Sequence, residues 1–162
     1  MLNPDLYVRT VNDIDLDALA ARGVDTLLMD LDNTLLPRDS SSVPAEIVAW
    51  TAGLAERGFT VCLVSNNWHE RAHIVAAELG FSLVAKAVKP LPFAFLRALK
   101  LVGSTRKRSA IVGDQIFTDV VGGKLLGIMT VMVLPLSQSD LPHTLMLRRV
   151  ERVLLAGRQP QA

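Results

Sequence analysis

The sequence predicts an α/β fold: a three-layer sandwich with helices on both faces of a parallel, Rossmann-like sheet. Three observations carry this. Apolar runs of strand length alternate with stretches of helical periodicity from Thr26 to Leu155. The runs Leu27–Met29, Val61–Val64 and Ala110–Val112 have no charged interruption, as expected of strands buried on both faces. Glycine or proline marks the junctions at Gly23, Gly58, Gly80, Gly103 and Pro135. Strands that alternate with helices imply right-handed crossovers, hence parallel strands.

Half of the 162 residues are hydrophobic and a fifth are charged, which fits one folded domain over residues 1–162, with its core at about 24–135. A net charge of +1 gives no reason to expect a nucleic-acid partner. The single Cys62 excludes an intramolecular disulfide, and its apolar neighbours predict a buried, reduced thiol and a cytoplasmic home. No apolar stretch approaches the roughly 20 residues of a membrane span. Residues Met1 to Asp5 lack the basic and apolar regions of a signal peptide.

The elements follow in order. Leu6, Tyr7 and Val8 belong to a leading segment that packs on the body. Asp13 or Asp15 caps a short helix that Gly23 stops. A first strand ends near Asp30, because Asp and Asn favour turns over strand interiors. After a loop through Ser42, Pro44 sits in the first turn of a helix capped by Ser42; Ile47, Trp50, Thr51 and Leu54 give it an apolar face. Phe59–Val64 is the second strand, ended by Ser65-Asn66-Asn67. A helix over His69–Leu79 leads to a strand at Phe81–Ala85. Pro92 opens the next helix, and Arg106–Arg108 is a basic turn. Ala110–Val112 is the fourth strand. Thr118–Leu126 reads as helix despite Gly122 and Gly123, which close approach to the sheet would explain. Ile128–Leu134 is the fifth strand, and an amphipathic helix falls within about 141–158.

The polar residues cluster just past the apolar runs: Asp30 and Asp32, then Ser65 and Asn66, then Lys89, then Asp114 and Asp119. In a parallel sheet these ends share one rim, where such sheets place ligands. Several carboxylates cannot share a pocket fully ionised without a cation, and oxygen-only ligands favour Mg²⁺ over Zn²⁺. Lys89, Ser65 and turn N–H groups suit a phosphate. Taken alone, Asp30 and Asp32 fit a capping turn as well as a catalytic pair, and Lys86 competes with Lys89. His69 and His73 lie four apart on one predicted helix with no third ligand. Trp68 fits either the rim of a pocket or packing.

Asp30-Leu31-Asp32-Asn33-Thr34-Leu35, Ser65-Asn66-Asn67, Lys89-Pro90 and Gly113-Asp114-Gln115-Ile116-Phe117-Thr118-Asp119 resemble, in order, the four motifs of the haloacid dehalogenase (HAD) superfamily of phosphatases. The match is to subfamily IIIA, the YqeG-type proteins, which are similar to phosphatidylglycerophosphate phosphatases. The resemblance implies that Asp30 is the nucleophile and Asp32 the acid and base. It implies Mg²⁺ held by Asp30, the Asp32 carbonyl and Asp114. Ser65, Asn66 and Lys89 would bind phosphate, with Thr34 and Asp119 in support.

HAD phosphatases often carry a cap domain inserted after the first motif or between the second and third. Each of those gaps here has room for one helix and short connections, so no cap is expected. An open site suits a large substrate such as a membrane phospholipid, presented at the inner membrane face; self-association would also close it, and a small sugar phosphate or nucleotide is the alternative. Met146, Leu147, Val150, Val153 and Leu154 form the apolar face of the last helix, opposite Arg148, Arg149 and Arg152. That face is expected to pack on this chain's sheet or on a second copy, with an anionic membrane as the alternative. A non-catalytic adaptor on the same fold is the rival reading, which the full set of acids opposes.

Overall fold

A computed structural model describes residues 2–40, 42–68, 70–137 and 142–161, without the side chain of His143. Six parallel strands form one sheet: β1 (Leu6–Val8), β2 (Thr26–Met29), β3 (Thr60–Val64), β4 (Ser82–Val84), β5 (Ser109–Gly113) and β6 (Met129–Val133). Their order is β1-β6-β5-β2-β3-β4. The helices are α1 (Leu16–Ala21), α2 (Ala45–Glu56), α3 (Glu70–Leu79), α4 (Pro92–Leu101), α5 (Val121–Leu126) and α6 (Pro142–Leu154).

Alternation along β2 builds the two interior layers. Leu27 and Met29 face a cluster with Leu19, Ile47, Leu54 and Val75 from α1, α2 and α3. Leu28 faces the other way, onto Ala94, Phe95 and Ala98 of α4 and Leu126 of α5. Cys62 and Ile111 lie opposite Leu28 in register and belong to the second cluster. Both faces of the sheet are therefore covered. The connections after β2 and after β3 hold one helix each, with no cap domain evident.

The fold departs from the sequence reading at several points. The leading segment is a sixth strand, pairing Leu6 with Val131 of β6, and Gln161 bridges to Val8 beyond it. Three residues are too few to show alternation, so the sequence carried no strand signal there. Val8, Val11 and Ile14 of this leading region are buried in the same apolar cluster as β2, so it packs on the body as expected. Helix α2 starts at Ala45 with Pro44 as its N-cap and no side-chain cap, so Ser42 does not cap it. The helix read from Thr118 is a π-helical turn, Ile116–Val120, running into α5. The two glycines do mark close packing: a Cβ on Gly122 would lie 2.4 Å from the Phe95 ring, and one on Gly123 2.4 Å from the Thr130 methyl.

Helix α6 does not bury its apolar face on this chain's own sheet. Met146 and Val153 are 66% and 73% exposed, and Val150 is exposed too, while Thr144 and Glu151 are buried. Of the apolar residues near this helix, Leu155 packs on Ile116, Val120 and Met132. Among the described residues no helix is long and apolar enough to cross a membrane. His69, and with it the His69–His73 pair, lies outside the described residues; His73 is exposed.

Candidate active site

Asp30 extends the ladder one residue past β2, its N–H donating to the Val112 carbonyl at 2.8 Å. The chain then turns tightly: Asn33 takes a φ of 62°, a conformation Asn tolerates better than most residues. The N–H groups of Thr34 and Leu35 return to the Leu31 carbonyl at 3.3 and 3.1 Å. The Asn33 carboxamide oxygen accepts from the Arg38 N–H at 3.1 Å and the Ser137 hydroxyl at 2.6 Å, tying neighbouring loops to this turn. Thr34 is buried with its hydroxyl unpartnered.

Ser65 follows β3 and is buried. Its hydroxyl accepts from the Asn67 N–H at 3.1 Å. Asn66 clamps the main chain of Lys89, accepting from its N–H at 2.7 Å and donating to its carbonyl at 3.4 Å. That clamp seats a loop in which Lys86 and Val88 have φ of 53° and 56°. A β-branched residue there is strained, so the loop is held by its surroundings.

Lys89 is buried and bridges two acids, with Nζ 2.7 Å from Asp30 Oδ1 and 2.6 Å from Asp119 Oδ1. Asp119 Oδ2 accepts from the Thr118 hydroxyl at 3.2 Å and the Gln115 N–H at 3.3 Å. Gly113 makes room for it, since a Cβ there would lie 2.2 Å from Asp119 Cγ. Asp114 is fully buried and pairs with Arg148 of α6. Asp32 has partners of its own: Asn67 donates to it at 3.0 Å and Arg71 pairs with its other oxygen. Arg71 also donates to the Pro37 carbonyl at 2.8 Å.

Some of these groups border an open cleft of about 450 Å³. Asp30, Asp32, Ser65, Asn66 and Lys89 line it, with Trp68 at its rim, 73% exposed. Lys86, the competitor of Lys89, instead sits 5.3 Å from the Trp68 ring centre.

Burial sets the electrostatics. It pushes the Asp30 carboxyl up to about 6; Asp119 adds to this, and Lys89 opposes it. Burial and the neighbouring Asp30 raise Asp114 well above the usual range, against the pull of Arg148. Burial alone would lower Lys89, but Asp119 and Asp30 overcome it and hold the amine charged. Among the described residues Asp30, Asp32, Asp114, Asp119 and Glu151 pair with Arg71, Lys89 and Arg148, and Arg38 also lines the cleft. The donors fit a divalent cation: oxygens of Asp30, Asp114 and Asp119 lie within 4.8 Å of one another, and Asp114 Oδ1 is buried without a hydrogen bond. The Asp32 side chain is not part of that triad.

Sequence reasoning missed Arg71, Arg148 and Glu151. A signal existed for Arg71: a cation in the first turn of a helix opposes the helix dipole and calls for a specific anion. For Glu151 it was a lone acid in a run of arginines.

Comparison with known proteins bears on this geometry. A family model described as HAD-hydrolase-like matches residues 86–136. Over 154 residues the chain is 35% identical to the probable phosphatase YqeG of Bacillus subtilis, covering 95% of this chain and 90% of that protein. The chain belongs to the YqeG family of HAD phosphatases. Like the family it joins, it is a phosphatase. A YqeG-type chain is also 29% identical here to the chloroplastic/mitochondrial phosphatidylglycerophosphate phosphatase 1 of Arabidopsis thaliana, covering 94% of this chain but 46% of that protein. Solved structures share the fold. A protein from Listeria monocytogenes serotype 4b superposes with a TM-score of 0.57 at 17% identity, over 82% of this chain and 98% of that one. The cobalt-bound deoxy-D-mannose-octulosonate 8-phosphate phosphatase of Haemophilus influenzae gives 0.55 at 15% identity, over 83% and 89%.

Proposed function

We propose that this YqeG-type chain is a Mg²⁺-dependent phosphomonoesterase that works through an aspartyl phosphate on Asp30, with phosphatidylglycerophosphate as its substrate. The observation that carries the reading is that its two acids are held by different partners. Asp30 joins the Lys89–Asp119–Asp114 group, while Asp32 is held on its own partners at the same cleft. One acid can then attack while the other moves protons.

An Asp30 oxygen attacks phosphorus and the bond to the leaving oxygen breaks, with Asp32 giving that oxygen its proton. Asp32 then takes a proton from water, which attacks phosphorus and frees Asp30 and inorganic phosphate. Ser65 and Lys89 hold phosphate oxygens, and Asn66 serves by fixing Lys89. Asp30, Asp114 and the Asp32 carbonyl would hold Mg²⁺, whose charge offsets repulsion between nucleophile and substrate. Asp119 orients Lys89, and Thr34 supports the turn after Asp32.

The lipid assignment is supported by the likeness to the Arabidopsis phosphatidylglycerophosphate phosphatase and by an open cleft without a cap. Phosphate release from a panel of soluble phosphomonoesters and from vesicles containing phosphatidylglycerophosphate tests it. Preference for the vesicles is expected, and indifference to the lipid would favour a soluble sugar phosphate or nucleotide.

A further inference from the structure

Helix α6 turns Arg148 and Glu151 inward and leaves Met146, Val150 and Val153 outside. An amphipathic helix held by packing alone would do the reverse. What it covers explains the inversion. Arg148 Nη1 donates to the Asp114 carbonyl at 2.6 Å, and Nη2 pairs with Asp114 Oδ2. One planar fork thus grips both main chain and side chain of the same residue, which a lysine cannot do. Glu151 Oε2 lies 3.6 Å from Arg148 Nη1. Its Oε1 accepts from the N–H groups of Ile116 and Phe117 at 2.7 and 3.3 Å. Asp114 is therefore held on one of its oxygens and the turn behind it is tied down. The other oxygen is buried and without a hydrogen bond, and one Asp114 oxygen lies within 4.8 Å of oxygens of Asp30 and Asp119.

We infer that α6 is part of the active site, with Arg148 as a positioning residue that fixes Asp114 Oδ2 so that Oδ1 is presented to a divalent cation, and Glu151 as the residue that holds Arg148 in place. This rests on the proposed metal-dependent reading. Outer partners of this kind commonly set metal affinity by 10–100-fold.

The test is calorimetric titration of the full chain with Mg²⁺, without substrate, for wild type, Arg148→Met, Arg148→Lys and Glu151→Gln, each checked for folding by circular dichroism. Affinity should fall at least about tenfold in Arg148→Met and by less in Arg148→Lys. Glu151→Gln, which keeps a hydrogen-bond acceptor, should weaken binding by a few-fold. Turnover by Arg148→Met should recover when Mg²⁺ is raised, with little change in the KM for substrate. If Arg148→Met does not fold, the other two variants decide. Unchanged affinity in the folded variants would leave Arg148 a structural ion pair and overturn the inference alone. Tighter binding would make the guanidinium a competitor of the cation and overturn it equally. Failure of the wild type to bind Mg²⁺ would overturn the metal reading as well.

Discussion

Lys89 carries the heaviest electrostatic load of any single residue in the cleft. Its buried ammonium answers Asp30 and Asp119 at once. Removing one partner of a buried ion pair commonly costs about 3–5 kcal/mol, because the charge left behind stays out of water. Lys89→Met should therefore lower stability by about that amount in urea unfolding without divalent cations, and Mg²⁺ should recover part of it. The same burial fixes a pH dependence. Asp30 ionises near 3.8 when unfolded and near 6 when folded, so between these values the unfolded chain has lost a proton that the folded one keeps. Stability should fall as pH rises through that window. Asp114 and Glu151 are raised too and act in the same direction. Asp5 and Asp25 are lowered, so their effect lies below the window. Urea midpoints measured across this range should show the decline in wild type and a smaller one in Asp30→Asn.

The elements reach the site through close approach as well as charge. Gly122 lets α5 lie against α4, where any Cβ would strike the Phe95 ring. Gly122→Ala gains about 1 kcal/mol of helix propensity. Overpacking commonly costs about 1–3 kcal/mol, so a lower unfolding midpoint is expected despite the better helix former. The sequence announced close approach of this helix to the sheet, which Gly123 makes against Thr130, but not the contact of Gly122 with α4. It also announced Asp30, Ser65, Lys89 and Asp114. Each ends or closely follows an apolar run, and the topology of parallel strands gathers such ends. β1 was illegible, being three residues long and stabilised by pairing with β6, which only the folded chain provides. The orientation of α6 was illegible for another reason. Periodicity locates an apolar face but cannot see that the surface beneath it offers a carboxylate and two backbone N–H groups. Satisfying those buried groups outweighed burying Met146 and Val153.

At the scale of the molecule, the sheet acts as a frame. The two apolar layers fix the strand ends, and the acids sit where the layers stop. No cap covers them, so selection among substrates falls to the rim, where Trp68, Arg38 and Leu147 border the cleft. The central claim is chemical: a phosphoryl group passes through Asp30. The most direct measurement is an acid quench during turnover of p-nitrophenyl phosphate labelled in its phosphoryl group, with Mg²⁺ present. That leaving group departs without help from an acid, so Asp32→Asn should still be phosphorylated but slow to release phosphate. The account predicts label on the Asp32→Asn chain, labile to hydroxylamine as an acyl phosphate is, and none on Asp30→Asn. Label that persists in Asp30→Asn, or turnover by that variant at the wild-type rate, would contradict it.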